Sequence, residues 1–146
     1  MRIRHLNHST YQTQFHLVWG TKYRRRWFKD YVTVEFIKSL YALQRRHPAW
    51  FFETINTEQD HVHLQMTFPP SDSVAAVVQE IKAVTSAVLK KRFPFIQRIY
   101  AYNKSGGIWA VGYFVSTIGL DEATIKKYIE RQGRQELPQD ITAEFS

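Results

Sequence analysis

Cysteine is absent from the sequence. That excludes a disulfide scaffold, thiolate zinc sites, iron–sulfur clusters and a cysteine nucleophile, and it fits a reducing cytoplasm. Long apolar runs are absent too. None approaches the roughly 20 residues of a membrane helix, and no apolar stretch follows the basic N-terminus, so neither a membrane span nor a signal peptide is expected. Acid is missing from one region only. Residues 1–29 hold Arg2, Arg4, Lys22, Arg24, Arg25, Arg26 and Lys29 and no Asp or Glu, whereas the other 117 residues carry 13 basic and 13 acidic side chains. The whole net charge of +7 therefore sits in the first fifth of the chain.

The sequence shows no internal repeat, low-complexity tract or Pro/Gly/Ser-rich linker. A chain of 146 residues is the size of one domain and can bury a real core. One domain over residues 1–146 is expected, with 1–10 and 135–146 as loosely held tails. Aromatics make up 15% of the chain, and beside an excess of cations they point to a polyanion. Basic groups bind phosphate, and aromatic faces stack on exposed bases.

Gln12 to Trp19 alternates, with Phe15, Leu17 and Trp19 on one face and Gln14, His16 and Val18 on the other, which predicts a strand. Val32 to Arg46 repeats apolar residues at helical spacing and stops at Pro48. Trp50 to Thr57 and His61 to Phe68 read as two strands of a hairpin, closed by Pro69-Pro70. Ser71, Asp72 or Ser73 caps a second helix carrying Val74, Val77, Val78, Ile81, Val88 and Leu89, which ends at Pro94. Gly106-Gly107 is a turn and Tyr113 to Ile118 a strand. Asp121 then caps a short helix ending near Gln132, with Gly133 past its end. The order β-α-β-β-α-β matches the ferredoxin-like α+β plan: one antiparallel sheet, helices on one face, and here one added C-terminal helix.

Two places carry chemistry. On a strand, His61 and His63 point to the same face, about 6.6–6.8 Å apart along the chain. They read either as plain strand histidines or as two ligands of one ion. On the last helix, Ile125, Tyr128, Ile129 and Gln132 form one stripe. The stripe is either core-facing or a face presenting a phenol and an amide together. A phenol with a reference pKa of about 10 needs activation and rigid placement to attack phosphorus. His16 shares its strand face with Gln14 and reads as structural or as a substitute ligand. His5 and His8 fall in the N-terminal segment.

Residue types and order together resemble the IS200/IS605-type transposases, single-tyrosine members of the HUH nuclease superfamily. Asp60-His61-Val62-His63-Leu64 looks like their histidine strand, and Trp109 to Gly119 is similar to their last strand. Thr124 to Gln132 resembles their catalytic helix, and Trp19-Gly20-Thr21-Lys22-Tyr23-Arg24-Arg25 their basic segment. The resemblance spans about residues 12–133. Ala110-Val111 departs from the more usual Ser-Pro, which leaves the loop geometry there open.

The resemblance implies Tyr128 as nucleophile and His61, His63 and Gln132 as ligands of Mg²⁺ or Mn²⁺. Three neutral ligands would leave the ion's charge undiminished. It further implies cleavage and rejoining of single-stranded DNA bearing subterminal hairpins, through a 5′-phosphotyrosine, by a homodimer in which one subunit's tyrosine serves the other's histidines, although the sequence itself leaves docking in cis or in trans open. Gly119 is the implied hinge. Lys22, Tyr23, Arg24, Arg25 and Arg26 are candidate DNA contacts, interleaved with Trp27 and Phe28, which either stack on bases or anchor the loop to the core. Lys90, Lys91, Arg92 and Arg98 form a weaker cluster that also suits a helix C-terminus. Two other readings stay open: a domesticated relative acting on host palindromes (REP-associated), and a non-catalytic hairpin-binding protein. A replication initiator or relaxase is expected to be larger.

Overall fold

The computed structural model describes residues 13–101, 107–117 and 119–134 in full, and 4–6, 9–11 and 135–145 as backbone elements. His8, Gln12, Gly106 and Ile118 lie outside the described residues, as does the side chain of His5. The strands are β1 (Arg4–Leu6), β2 (Ser9–Tyr11), β3 (Phe15–Gly20), β4 (Phe51–Glu58), β5 (His61–Thr67) and β6 (Phe114–Ser116). The helices are α1 (Asp30–Arg46), α2 (Val74–Arg92), α3 (Pro94–Ile99) and α4 (Glu122–Phe145), with a single 3₁₀ turn at Lys22–Arg24.

The main sheet runs β4-β5-β3-β6, every neighbouring pair antiparallel. Starting from β3, the sequence of elements is β-α-β-β-α-β with the first strand central, as the ferredoxin-like plan requires. β1 and β2 form a separate antiparallel pair ahead of the sheet.

Alternation sorts β5 cleanly. Val62, Leu64 and Met66 are fully buried on one face, while His61, His63 and Gln65 occupy the other. Leu17 and Trp19 of β3 join the first face, which packs on Val32, Phe36, Leu40 and Leu43 of α1 and Val77, Val78, Ile81 and Leu89 of α2. An irregularity between Phe52 and Thr54 in β4 inserts one extra residue opposite β5. It lets Phe52 pair with Met66 and Ile55 with Leu64, so both apolar residues reach the core although an odd number of positions separates them.

Ser73 is the residue that caps α2, its hydroxyl accepting the Ala76 N–H at 3.1 Å. Asp72 instead accepts the Trp50 indole N–H at 2.9 Å. Asp121 caps α4 by accepting the Thr124 N–H at 2.7 Å, and that bond holds its carboxyl below the ordinary aspartate range. Pro94 ends α2 as expected but also opens α3, where a first-turn proline loses no helical hydrogen bond.

Some boundaries differ from the sequence reading: the last strand is Phe114–Ser116, and β1, β2 and the end of α4 occupy stretches read as loose tails. Gly133 does not terminate the last helix, which continues to Phe145. A Cβ at Gly133 would collide with the Arg24 side chain. Glycine is present because another chain segment crosses the helix there.

Candidate active site

α4 seats on the histidine face of the sheet, opposite α1 and α2. Its buried residues Ile129 and Gln132 lie over β3, where Val18 is also buried. Gly20 and His61 are cross-strand neighbours, as are Val18 and His63. Gly20 has no side chain, and the Gln132 Oε1 fills that space, 2.8 Å from where a Cβ would stand. The same oxygen accepts the Gly20 N–H at 2.8 Å. The Gln132 Nε2 donates to the carbonyl of Val111 at 2.8 Å and to the Tyr128 hydroxyl at 3.0 Å. Gln132 and the paired histidines thus lie on the same side of the sheet, with Tyr128 bonded to Gln132.

The histidines are held differently. His61 donates from Nδ1 to Asp60 Oδ1 at 2.8 Å, and Arg24 reaches Asp60 Oδ2 at 3.3 Å. The bond from His61 is the main reason the Asp60 carboxyl is held below its usual range; burial opposes this, and Arg24 adds to it. His63 Nε2 lies 3.3 Å from His16 Nδ1. Burial pushes His63 below 6.5, and the neighbouring His16 and His61 push the same way. Burial alone lowers His16. His16 is thus a direct neighbour of the pair.

Both histidines line an open cleft of about 620 Å³ whose rim carries Arg24, Arg26, Lys126, Glu122 and Asp60. Tyr128 is set to one side of this cleft. Its ring packs on Phe114 at 5.5 Å, and its hydroxyl faces Gly112 and Gln132. Gly112 has φ +88°, a left-handed conformation that suits glycine. Its carbonyl and that of Ala110 accept the Lys82 ammonium at 2.7 and 2.8 Å. The Ala110-Val111 departure is thereby accommodated: Val111 exposes its side chain, and its carbonyl serves Gln132.

Among the described residues, no three His, Asp or Glu side chains converge to hold a metal ion. By type, the donors of His61, His63 and Gln132 suit a divalent cation. With Nδ1 on Asp60, His61 keeps Nε2 for a ligand. The Gln132 oxygen has a second lone pair beyond the one used by Gly20. Two imidazoles and one amide oxygen form a neutral N,N,O set.

The basic segment divides in two. Trp27 and Phe28 are buried core residues, stacked at 5.2 Å, so their aromatic faces are not open to bases. Trp27 donates to the Tyr100 hydroxyl at 2.8 Å, which donates to the Lys22 carbonyl at 2.7 Å. Tyr23 and Arg24 both adopt positive φ, 60° and 53°, a costly conformation for such side chains. It sends the Arg24 side chain across Gly133 of α4 to Asp60. Both Arg24 and Arg26 are exposed at the cleft, and Arg24 is ion-paired to Asp60 there. A second hollow, about 420 Å³, is lined by Tyr23, Arg24, Arg26, Asp60, Gly133 and Arg134. The sequence reading missed Lys126 and Arg134 because neither stands in a charge run. Gly119 is exposed, with open space around it. At the end of α2, Lys90, Lys91 and Arg92 form a basic last turn, and Arg92 pairs with Glu35 at 3.5 Å.

The sheet and the helix seated on its second face define an α+β domain whose fold is shared with solved transposase structures. A solved structure of a candidate transposase from Deinococcus radiodurans R1 superposes with a TM-score of 0.74 at 23% identity, over 88% of this chain and 97% of that one. A REP-associated tyrosine transposase bound to a REP hairpin shares the fold more loosely: TM-score 0.51 at 13% identity, over 81% of this chain and 62% of that one. By sequence, residues 9–132 match the family model described as "Transposase IS200 like", so the chain belongs to the IS200-like transposase family. It is 28% identical over 130 residues to the transposase of insertion sequence element IS200 from Salmonella typhimurium, covering 87% of this chain and 81% of that protein. It is 27% identical over 127 residues to the ISDra2 transposase TnpA of Deinococcus radiodurans, covering 86% and 88%.

Proposed function

We propose that the protein is a single-strand DNA transposase that cuts and rejoins strands through Tyr128. The observation that supports this best is the seating of α4. Gln132 bonds to Gly20, the cross-strand neighbour of His61, and to the Tyr128 hydroxyl. One helix therefore carries the nucleophile and seats an amide oxygen on β3, the strand beside the one that bears both histidines.

In this reading the Tyr128 oxygen forms a bond to phosphorus, the P–O3′ bond breaks, and a 3′-OH leaves. The phosphodiester's bond energy is retained in the 5′-phosphotyrosine, and a second 3′-OH displaces the tyrosine to rejoin strands. His61, His63 and Gln132 would hold Mg²⁺ or Mn²⁺, and the ion would supply Lewis-acid polarisation of a phosphate oxygen. Arg26 and Lys126 at the cleft rim meet the phosphate backbone. Asp60 and His16 orient the two imidazoles. Tyr128 must leave its bond to Gln132 to approach the cleft, and Gly119, where an added Cβ would meet open space, is the hinge for that movement. The partner is single-stranded DNA with hairpins near the element ends. The working assembly is a homodimer in the cytoplasm, with the tyrosine helix docked either on its own sheet, as the bond from Gln132 to Gly20 favours, or on that of its partner.

The test is a covalent adduct. Single-stranded oligonucleotides from the flanks of the gene, incubated with Mn²⁺ or Mg²⁺, are expected to give a protein–DNA species resistant to denaturant. It should be lost in Tyr128→Phe and absent with duplex. Binding without cleavage under every metal condition would favour the non-catalytic hairpin-binding reading.

A further inference from the structure

We infer that Asp60 is a positioning residue that fixes the tautomer of His61, and that Arg24 fixes which oxygen of Asp60 faces the imidazole. The inference deepens the proposed reading of His61 as a ligand, and only its metal-binding arm rests on that reading.

The geometry is a relay of three side chains. Asp60 sits in the tight turn between β4 and β5, immediately before His61. Its backbone is pinned, because its carbonyl accepts the Thr21 N–H at 2.9 Å and the Thr21 hydroxyl at 3.3 Å. One carboxylate oxygen, Oδ1, accepts His61 Nδ1–H at 2.8 Å. The other, Oδ2, accepts from Arg24 Nη2 at 3.3 Å and from Nε at 3.4 Å. Both the Asp60 and the His61 side chains are largely shielded from water, at 17% and 18% exposure. Arg24 is anchored by its stem, which crosses α4 where Gly133 leaves room.

The chemistry follows from these bonds. A neutral imidazole carries its proton on one nitrogen only, and the group bonded to that nitrogen decides which. An ionised carboxylate only accepts. Asp60 therefore draws the proton to Nδ1 and leaves the Nε2 lone pair of His61, a cleft-lining side chain, for a cation. Arg24 only donates, so whatever stands at position 60 must turn an acceptor toward it. An aspartate has two acceptors and satisfies both neighbours. An asparagine has one. With its oxygen on Arg24 it would present its NH₂ to His61 Nδ1, forcing the proton onto Nε2 and blocking the ligand position.

The test is long-range ¹H–¹⁵N correlation of the histidine rings in the metal-free, full-length protein, at about pH 8, where an ordinary imidazole is neutral. In the parent protein His61 is expected as the Nδ1–H tautomer. Asp60→Asn should convert it to Nε2–H, whereas Arg24→Met, which keeps an unbranched stem against Gly133, should leave it unchanged. The double variant Arg24→Met/Asp60→Asn should return it toward Nδ1–H, because the amide is then free to flip. Mn²⁺ affinity by titration calorimetry should fall about 10–100-fold in Asp60→Asn and recover in the double variant.

An Nε2–H tautomer in the parent protein, or an unchanged tautomer in Asp60→Asn, overturns the inference. Should Asp60→Asn fail to fold, Asp60→Ala reads the same point. Loss of the Nδ1 acceptor should release His61 from a pure Nδ1–H state, and its persistence would overturn the inference too. A parent protein that binds no Mn²⁺ yet shows the Asp60-dependent tautomer would remove the metal assignment and leave the positioning of His61 standing.

Discussion

The Gln132 side-chain oxygen and the Gly20 amide, 112 positions apart in sequence, form a buried 2.8 Å hydrogen bond. That bond ties the tyrosine helix to the strand beside the histidine pair. Gly20 leaves no spare volume, since a Cβ would stand 2.8 Å from the Gln132 oxygen and 3.3 Å from the Asp60 carbonyl. Gly20→Ala is therefore expected to push Gln132 off its seat, at a cost of about 1–3 kcal/mol for overpacking. Faster amide exchange along α4, with β4 and β5 unaffected, is the signature. Unchanged exchange in α4 would mean that Gln132 does not hold the helix.

Tyr128→Phe separates chemistry from stability. The variant loses one bond from Gln132, whose nitrogen keeps the Val111 carbonyl. The expected loss is about 0.5–1.5 kcal/mol by thermal or denaturant unfolding, while the covalent adduct disappears. A residual adduct in this variant would assign the nucleophile elsewhere.

Acid should weaken the fold before any carboxylate titrates. Burial holds His16 below the ordinary histidine value of 6.5, and burial together with the neighbouring histidines does so for His63. The unfolded chain takes up these protons first. Stability is then complete above pH 6.5 and declines as pH falls from there through the lower folded-state values. Melting temperature measured across this range should slope downward toward acid. His16→Gln should flatten the slope, and an identical slope in that variant would count against the assignment.

Arg26 and Trp27 are neighbours with opposite expected phenotypes. Arg26 is exposed at the cleft, so Arg26→Ala should keep the fold and lower the salt slope of single-strand binding by about 0.7. Trp27 is only 1% exposed in the core, and Trp27→Ala should cost about 3–5 kcal/mol of stability. Fluorescence anisotropy at several salt concentrations, paired with thermal melts, distinguishes them. A stable Trp27→Ala protein with selectively lost DNA affinity would restore the stacking role.

The order of the sheet elements was legible because alternation and helical periodicity report local burial directly. His61, Val62 and His63 announce their faces from sequence alone. Other features depend on contacts between distant segments. The fate of Trp27 and Phe28 was one of two sequence alternatives, and the decision came from Trp109 and Tyr100, more than 70 positions away. Gly133 looks like a helix end because local rules put glycine there, yet a crossing arginine put it mid-helix. Asp60 stood inside the histidine motif, but only the turn geometry shows it bridging His61 and Arg24. Pro94 was read as a stop because its second use, opening α3, needs a short helix that periodicity is too brief to reveal.

The two faces of the sheet are gripped unequally. On the α1–α2 side a continuous aliphatic and aromatic core holds the layers together. On the other side, the described contacts of α4 are Ile129 and the amide of Gln132 over β3, Tyr128 on Phe114, and Gly133 beneath the Arg24 side chain. Among its described residues few apolar side chains resist its departure, and the polar bonds described there can be exchanged for water. Graded denaturation should accordingly peel the tyrosine helix away as a separate step, leaving a folded, histidine-bearing sheet. The domain would lose its activity well before it loses its shape.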